Sequence, residues 1–300
     1  MTPTTTTLYS NPPRATRRIA DLVELAKLRL VSMILITTCT GFYLASESSF
    51  DWVRLIHTII GTGLGAAGVL ALNQYLERDL DAQMGRTRYR PLPDNRLQPT
   101  EALVFGILIT VGGLLYLTFV VNILSGLVIS AIVVTYLFIY TPLKQKSSIC
   151  TVVGAIPGAL PPVVGWVAVR GTFNIEAWVL FAILFLWQLP HSLSIACIYR
   201  DDYAHAGFRL LPVIQPDGES TRRQIVSNCL GLLVVGLLPT LIGLAGVAYF
   251  FASLILSSAF LAFGINLAIS RSLIAAKRLL YASLVYLPMM FFMMAFDKII

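Results

Sequence analysis

The stretch Asn73-Gln-Tyr-Leu-Glu77-Arg-Asp-Leu-Asp81 continues as Ala-Gln-Met-Gly-Arg86-Thr-Arg88-Tyr-Arg90-Pro-Leu-Pro93, and an apolar run that begins near Val53 leads directly into it. Asn73, Glu77 and Asp81 recur every four residues, so on a helix they lie along one face. Three oxygen ligands in a column, with arginines just beyond, suit a magnesium ion that also holds a phosphorylated substrate. Membrane helices rarely carry such groups without a function, because a charge at the bilayer centre costs roughly 2.5–3.5 kcal/mol on insertion scales.

Composition places the rest of the chain in a lipid bilayer. Of its 300 residues, 57% are hydrophobic and only 12% are charged, about half the charged share of a soluble domain. The apolar residues form runs near 20 residues long, each able to cross a hydrocarbon core of about 30 Å. We therefore predict an all-α polytopic membrane protein. Its nine predicted spans cover residues 29–46, 54–76, 101–121, 123–141, 149–169, 176–198, 225–244, 247–269 and 279–296.

The distribution of basic residues predicts how these spans are oriented. With the N-terminus inside, the cytoplasmic segments hold 19 of the 22 lysines and arginines, and only Arg54, Arg170 and Lys298 fall outside them. Such a bias follows the positive-inside rule, so we expect a cytoplasmic N-terminus and a C-terminus on the other side. It also explains the net charge of +7 without a nucleic-acid partner.

The chain reads as one domain with a short tail. Residues 1–20 are rich in Thr, Pro and Arg and lack the pattern of a cleaved signal, which favours a disordered cytoplasmic tail. Residues 21–300 form a single transmembrane domain, with a turn expected at Gly243 and Gly246. The four cysteines have no metal-ligand spacing and are interpreted as small apolar residues.

Two further polar clusters fall on the same predicted face of the membrane. In Tyr140-Thr-Pro-Leu-Lys144-Gln-Lys146, the two lysines are either part of a positive-inside loop or point charges for a diphosphate. In Trp187-Gln188-Leu-Pro190-His191, the proline frees backbone groups that need polar cover. Gln188 and His191 are costly at that depth and are expected to face a cavity, where His191 is either a buried hydrogen-bonding residue or a ligand.

Just beyond that cluster comes Tyr199-Arg200-Asp201-Asp202-Tyr203. Its two aspartates are either a second metal-binding pair or charges at the interface. The small-residue patterns Gly61-x-x-x-Gly65 and Gly154-x-x-x-Gly158 predict close helix packing rather than a nucleotide site, because no strand precedes them.

Together these clusters resemble those of the intramembrane prenyltransferases of the UbiA superfamily, and most closely its haem-farnesylating branch. The resemblance covers roughly residues 20–296. The residues that carry it are Asn73-x3-Glu77-x3-Asp81-x2-Met84-x-Arg86-Thr87, Arg90-Pro-Leu-Pro93, Tyr140-Thr-Pro-Leu-Lys144, Val153-Gly-Ala-Ile-Pro-Gly-Ala-Leu-Pro-Pro162, Trp187-Gln-x-Pro-His191, Asp202-Tyr203 and Tyr286-Leu-Pro288.

The resemblance implies nine helices around a central cavity that is open to the cytoplasm, in a bacterial inner membrane. It implies transfer of a farnesyl group from farnesyl diphosphate to a vinyl group of haem B, with Mg²⁺ as cofactor, and candidate partners in haem A synthase or oxidase assembly factors. The expected metal ligands are Asn73, Glu77 and Asp81, with Lys144 and Asp202 as further catalytic residues. The expected substrate-binding residues are Arg86, Arg90, Tyr140, Lys146, Gln188, His191, Asp201, Tyr203 and Arg209.

One departure from the wider superfamily concerns the second acidic motif. Its aspartates are usually spaced along a helix, whereas Asp201 and Asp202 are adjacent and His205 lies where a spaced acid would stand. This weakens the case for a symmetric second metal site. Two alternatives remain open: prenylation of an aromatic acceptor such as 4-hydroxybenzoate, which the Trp187–His191 stretch disfavours, and an ion-coupled transporter. A transporter would not need arginines massed beside the acids.

Overall fold

The structure is a computed structural model that describes residues 14–47, 49–215 and 217–299. Within these ranges nine helical spans are long and apolar enough to cross a membrane, which confirms the predicted number. The largest boundary differences are at the starts of the seventh and ninth spans, because the seventh helix begins with the polar residues 219–224 and the ninth carries Lys277 and Arg278 near its start. The spans run over Leu28–Ala45, Trp52–Asp81, Pro99–Val121, Ile123–Leu143, Cys150–Arg170, Ile175–Ile198, Glu219–Leu241, Val247–Ser270 and Leu273–Phe296.

The first five spans are built from seven helices and two π-helical segments. Pro161 and Pro162, which cannot donate backbone hydrogen bonds, separate the two helices of the fifth span. Helix α1 (Arg14–Leu25) precedes the first span. The elements within the five spans are α2 (Leu28–Ala45), α3 (Trp52–Asp81), α4 (Pro99–Tyr116), π1 (Leu117–Val121), α5 (Ile123–Val133), π2 (Val134–Tyr140), α6 (Thr141–Leu143), α7 (Cys150–Ala159) and α8 (Pro161–Arg170).

Six further helices complete the bundle, and two of them, α10 and α11, are short connectors. The predicted turn is present: Gly243 adopts a left-handed φ of 76°, and Gly246 immediately precedes α13. These elements are α9 (Ile175–Ile198), α10 (Arg200–His205), α11 (Leu211–Ile214), α12 (Glu219–Leu241), α13 (Val247–Ser270) and α14 (Leu273–Phe296).

Helix α3 is the longest element and positions the polar column. Its 30 residues extend about 45 Å at 1.5 Å per residue, well beyond a hydrocarbon core of about 30 Å. It packs closely on α4 because both helices carry glycines, and a side chain on Gly113 would collide with the backbone of Gly65. The last turns of α3 therefore reach one end of the bundle, which we call the site end.

The N-terminal boundary predicted from the sequence needs correction. Of the tail predicted for residues 1–20, the first 13 lie outside the described residues, but residues 14–20 belong to α1. Tertiary contacts stabilise this helix: Arg96 forms ion pairs with Asp21 and with Glu24, the latter at 2.8 Å. Gln74 Nε2 also donates to the carbonyl oxygen of Leu25 at 2.6 Å. These partners lie 49 to 75 positions away in the chain, so the local composition does not reveal them.

The C-terminal residues lie at the opposite end of the bundle. Lys298 Nζ donates to the carbonyl oxygens of Tyr43, at 2.8 Å, and of Ser46, just after α2 ends. The backbone nitrogen of Ile299 donates to Leu244, in the turn before α13. Since α3 begins at this end and finishes at the site end, the C-terminus is separated from Asp81 by the full length of the bundle.

Candidate active site

A cavity of about 630 Å³ opens into the bundle at the site end. Residues of α2, α3, α5, π2, α7 and α9 line it, together with the polar segment that follows α3. Its mouth carries charged and aromatic side chains, and its interior is largely aliphatic. Nine of the residues predicted from the sequence line its wall: Asn73, Glu77, Asp81, Arg86, Arg90, Tyr140, Lys144, Gln188 and Tyr203.

The column of Asn73, Glu77 and Asp81 lies on α3 and faces this cavity. All three side chains are almost fully buried, with exposed fractions of 2%, 6% and 1%. Asn73 Nδ2 donates to Thr141 Oγ1 at 3.2 Å, so the amide is held with its oxygen available to a ligand. The four-residue spacing thus aligns three oxygen donors along one wall.

Each carboxylate of the column is neutralised by a cation from another element. Lys144 Nζ lies 2.7 Å from Glu77 Oε1, and Arg90 pairs with Asp81 Oδ2. Burial lowers the pKa of Lys144, but the neighbouring oxygens of Tyr140 and Glu77 raise it overall, so Lys144 is cationic. Two buried anions and two cations at the mouth of an apolar cavity form a polar head site next to an aliphatic space.

The donor set fits a magnesium ion. Mg²⁺ prefers hard oxygen ligands and keeps several positions for water or phosphate, so one or two carboxylates suffice. Glu77 and Asp81 each use one oxygen in an ion pair, and no described residue hydrogen-bonds the other oxygen. Among the described residues no group of three or more His, Cys, Asp or Glu side chains forms a closed metal cage. An open site that is completed by a substrate is consistent with this set.

Aromatic rings orient the basic side chains. Arg86 donates to the Tyr203 hydroxyl at 3.3 Å, and its guanidinium lies over the Tyr199 ring at 5.0 Å from the centroid. Lys144 Nζ lies 4.4 Å from the centroid of Tyr140. Because Tyr203 belongs to α10 and Arg86 to the segment after α3, this contact connects the two halves of the chain across the cavity mouth.

The α9 wall carries Gln188, one of the two polar groups predicted to face the cavity in the Trp187–His191 stretch. Gln188 Nε2 donates to the carbonyl oxygen of Ala155 at 2.6 Å, and this close approach requires glycine at position 158, where a side chain would meet the Gln188 amide. His191 is not part of the cavity wall. It lies about one-sixth of a helical turn from Gln188 and faces α14 instead.

On that side His191 is held by a defined hydrogen-bond network. Ser283 Oγ donates to the carbonyl oxygen of Leu280 at 2.6 Å and lies 2.7 Å from His191 Nδ1. Since the hydroxyl has a single proton, Ser283 must accept from Nδ1, which leaves the lone pair on Nε2. Trp187 stacks on the imidazole with 5.0 Å between ring centroids and donates to the Ser283 carbonyl oxygen at 2.9 Å.

Four other predicted residues lie outside the cavity wall. Asp201, Arg209 and Lys146 are exposed at the site end, and Asp202 is half-buried in α10. The contribution of Arg209 to the site is through its backbone, whose nitrogen donates to the carbonyl oxygen of Lys144 at 2.8 Å. The adjacent aspartates of α10 point to different sides of a helix, because neighbouring positions differ by about 100°.

Lys27 is a cavity residue that the sequence reasoning missed. It joins α1 to α2 in a left-handed conformation, with φ of 52°, and its side chain lines the cavity. Burial and then the charge of Arg90 lower the pKa of Lys27 from 10.5 to about 7. Its position just before the first span was interpreted only as a positive-inside charge. A left-handed lysine costs roughly 1–2 kcal/mol, and such strain is concentrated at functional sites.

The structure combines a buried acidic column, its paired cations and an aliphatic cavity inside a bundle of membrane helices. This combination is the one expected of an intramembrane prenyltransferase. Residues 34–295 match the profile of the UbiA prenyltransferase family. The chain belongs to this family and is a multi-pass membrane protein.

Two relatives that the chain matches over nearly its full length are named protoheme IX farnesyltransferase. The chain is 44% identical over 287 residues to the protoheme IX farnesyltransferase of Solibacter usitatus (strain Ellin6076), with 93% of this chain and 98% of that protein covered. It is 43% identical to the protoheme IX farnesyltransferase of Koribacter versatilis (strain Ellin345), with 96% of each chain covered.

Solved structures of distant relatives confirm the fold. A digeranylgeranylglyceryl phosphate synthase has a TM-score of 0.80 at 15% identity, with 93% of this chain and 98% of that chain covered. A UbiA homologue from Archaeoglobus fulgidus bound to GPP and Mg²⁺ has a TM-score of 0.66 at 14% identity, with 91% and 99% covered. The predicted all-α bundle around a cavity is therefore the UbiA fold.

Proposed function

We propose that this protein transfers the farnesyl group of farnesyl diphosphate to a vinyl group of haem B, and so makes haem O for haem–copper oxidases. The geometric observation that carries the prenyl part is the column Asn73, Glu77 and Asp81 with its paired cations, at the mouth of an aliphatic cavity. The acceptor follows from the relatives, which match this chain over nearly its full length and are named protoheme IX farnesyltransferase.

The diphosphate binds at the cavity mouth, where Lys144, Arg90, Arg86 and Lys27 converge. In the free site two of these cations are paired with the column. Charged hydrogen bonds to phosphate oxygens are strong in such a water-poor site, so the bound diphosphate draws these side chains to itself. Lys144 and Arg90 then stabilise the negative charge that develops as the diphosphate departs.

Asn73, Glu77 and Asp81 would hold Mg²⁺. Bound there, the ion supplies Lewis-acid stabilisation of the leaving diphosphate. The oxygen atoms of Glu77 and Asp81 that make no protein hydrogen bond are the natural ligands, and the Asn73 amide is oriented by Thr141. We propose that the transfer requires magnesium and that Asp202, in the second acidic motif, is a catalytic residue.

The reaction breaks the C–O bond of the donor, forms a C–C bond to the acceptor and then adds water. The bond between C1 of the farnesyl group and the bridging oxygen breaks, and its electron pair leaves with the diphosphate. The π pair of the vinyl group then forms the new bond to C1, and water adds to the resulting cation and loses a proton, which leaves a hydroxyethylfarnesyl group. The aliphatic cavity wall protects the allylic cation by excluding water until the acceptor arrives.

Haem B would approach along the α7 and α9 side. The stretch Gly154–Pro162 offers a wall with few side chains, and Gln188 and Ser192 supply polar groups on the facing helix. His191 faces α14 and acts on the acceptor side through α9, because its contact with Ser283 positions the helix that carries Gln188 and Ser192. Arg200, Arg209 and Lys146 at the site end are candidate partners of the haem propionates.

Location follows from the same proposal. The site end faces the cytoplasm of a bacterial cell, in keeping with the positive-inside bias. The surrounding membrane is the inner membrane, where haem A synthase or oxidase assembly factors would receive the product.

The direct test uses purified protein with farnesyl diphosphate, Mg²⁺ and haem B, followed by mass spectrometry of the extracted haem. We expect a product heavier than haem B by one farnesyl unit plus water. Unmodified haem B together with prenylated 4-hydroxybenzoate in a parallel reaction would refute the haem acceptor and leave the prenyltransferase chemistry intact.

A further inference from the structure

The cavity has two chemically different walls. The wall formed by α2, α3 and α5 is aliphatic and carries Leu30, Ile34, Ala66, Val69, Leu70 and Ile132 below the polar column. The wall formed by α7 and α9 carries Gln188 and Ser192 among glycines and prolines. A hydrocarbon chain that enters from the diphosphate site gains most by lying on the aliphatic wall, since burial there displaces water without leaving a polar group unpaired.

The aliphatic wall ends in a closed floor. Ala66 and Ile129 are the deepest cavity residues on α3 and α5, and Ile129 is 1% exposed. On the residue next to Ala66, Gly65, an added Cβ would lie 3.0 Å from Ile129 Cγ1, and about one turn further, on Gly61, it would lie 2.6 Å from Leu117 Cγ. Leu117 is fully buried. The space beneath Ala66 is therefore already filled by packed side chains and offers no room to a ligand.

The depth of this lobe matches one length of prenyl chain. Ala66 lies eleven residues from Glu77 on α3, which corresponds to about 16 Å along a helix. An extended carbon chain advances about 1.2 Å per bond, as in an extended backbone. The twelve main-chain carbons of a farnesyl group therefore extend about 14 Å on that scale. Four more main-chain carbons add about 5 Å and would run into the floor.

We infer that Ala66 and Ile129 form the floor that limits the prenyl donor to fifteen carbons. This inference rests on the proposed diphosphate site and gives its substrate length. Ile129 blocks the longer geranylgeranyl chain by its side-chain volume, and Ala66 leaves the last isoprene unit of farnesyl its space. The two positions should therefore shift the preferred length in opposite directions.

The experiment measures binding of geranyl, farnesyl and geranylgeranyl thiolodiphosphates, which do not react, to purified protein with Mg²⁺. The unaltered protein should prefer the farnesyl compound. Ile129→Ala should improve geranylgeranyl binding relative to farnesyl by at least about tenfold, and Ala66→Leu should favour geranyl by a similar factor, as expected for pockets that differ by several carbons. Leu127→Ala, a change on the exposed face of the same helix α5, is the matched control and should leave the order unchanged.

Two controls separate the preference for prenyl chain length from effects on folding and on haem prenylation. Ile129→Val and Ala66→Val give smaller shifts in the same directions and serve if the larger changes prevent folding, which size-exclusion profiles report. If the relative affinities for the three compounds are unchanged in folded variants at both positions, the inference of a floor is wrong. Because binding is measured without haem, a failure of haem prenylation in the unaltered protein would refute the acceptor, whereas failure of all three compounds to bind would refute the diphosphate site itself.

Discussion

Glu77 and Asp81 are buried carboxylates, and each has a cation partner. Removing one partner from a buried ion pair costs about 3–5 kcal/mol, since it leaves a desolvated charge uncompensated. Lys144 reaches Glu77 from the loop after α6, and Arg90 reaches Asp81 from the segment after α3. These ion pairs hold two cations beside the place where a diphosphate would bind.

Asp81→Ala should abolish transfer without preventing membrane insertion. The change removes one metal ligand and releases Arg90, so we expect product formation to fall by at least about 100-fold, in the range found when one charge-stabilising group is removed. Asp79→Ala is the matched control, because Asp79 lies on the same helix with its side chain 84% exposed. The rate of haem conversion is the measurement. Addition of a chelator should stop the reaction and magnesium should restore it; full activity of Asp81→Ala would refute the metal site.

Lys27 makes the affinity for the diphosphate depend on pH. Its pKa is lowered to about 7, first by burial and then by the charge of Arg90, while Asp81 and Glu77 oppose and Lys144 adds to the decrease. A group with this pKa is an ammonium below pH 7 and loses its charge as the pH rises through 7. The ammonium form attracts a diphosphate more strongly than the neutral amine does.

We therefore expect farnesyl thiolodiphosphate to bind about tenfold more weakly at pH 8.5 than at pH 6. This factor corresponds to the free energy that one charged hydrogen bond contributes to binding. Lys27→Arg keeps its charge throughout and should remove this part of the pH dependence, and Lys27→Met should bind weakly at every pH. Ionisation of the ligand is common to all three proteins and cancels in the comparison. Identical pH profiles for the unaltered protein and Lys27→Arg would contradict the role of Lys27.

Helices α9 and α14 act as a unit in holding His191. The Ser283 hydroxyl directs the imidazole proton to Nδ1, and Trp187 limits rotation of the ring by stacking. Pro190, within α9, cannot donate a backbone hydrogen bond to the preceding turn. This network fixes the imidazole against α14 and so holds the turn of α9 that carries Gln188 at the cavity wall.

His191→Ala should lower haem conversion by about tenfold or more while binding of farnesyl thiolodiphosphate changes little, because the His191–Ser283 contact positions the α9 wall with Gln188 and Ser192, away from the diphosphate site. Ser283→Ala leaves the imidazole in place but removes the group that fixes its tautomer, so a smaller loss in conversion is expected. Haem conversion and thiolodiphosphate binding are measured in parallel. If both variants weakened diphosphate binding as much as conversion, His191 would not belong to the acceptor side.

The two ends of the helical bundle carry different polar groups. The site end carries the column and its cations, and the opposite end carries the C-terminal contacts of Lys298 with the residues after α2. An odd number of antiparallel spans puts the start of α2 and the end of α14 on different sides of the membrane.

Reporter fusions should place the N-terminus in the cytoplasm and the C-terminus outside it. A reporter inserted after Gly171, in the short exposed connection between α8 and α9, should report the same side as the C-terminus and serves as an internal control. Two termini on one side would contradict the span count and the positive-inside bias on which it rests.

The number of spans, their type and the polar column followed from the sequence by itself. Apolar runs near 20 residues specify membrane helices because the bilayer leaves backbone groups no other partner. A spacing of four residues likewise specifies one face of a helix, as at Asn73, Glu77 and Asp81. Both are local properties, and a chain carries them without reference to any other segment.

Only the tertiary structure decided how those segments meet. Lys27, 46 residues before Asn73 at the start of the polar column, enters the cavity because α1 is held by Arg96 and Gln74. His191 turns toward Ser283 while Gln188, three residues earlier, faces the cavity. The helical tail residues 14–20 and the floor at Ile129 depend on similar contacts. Each of these results from packing between segments far apart in the chain, and the free energy of such packing is invisible to any local pattern.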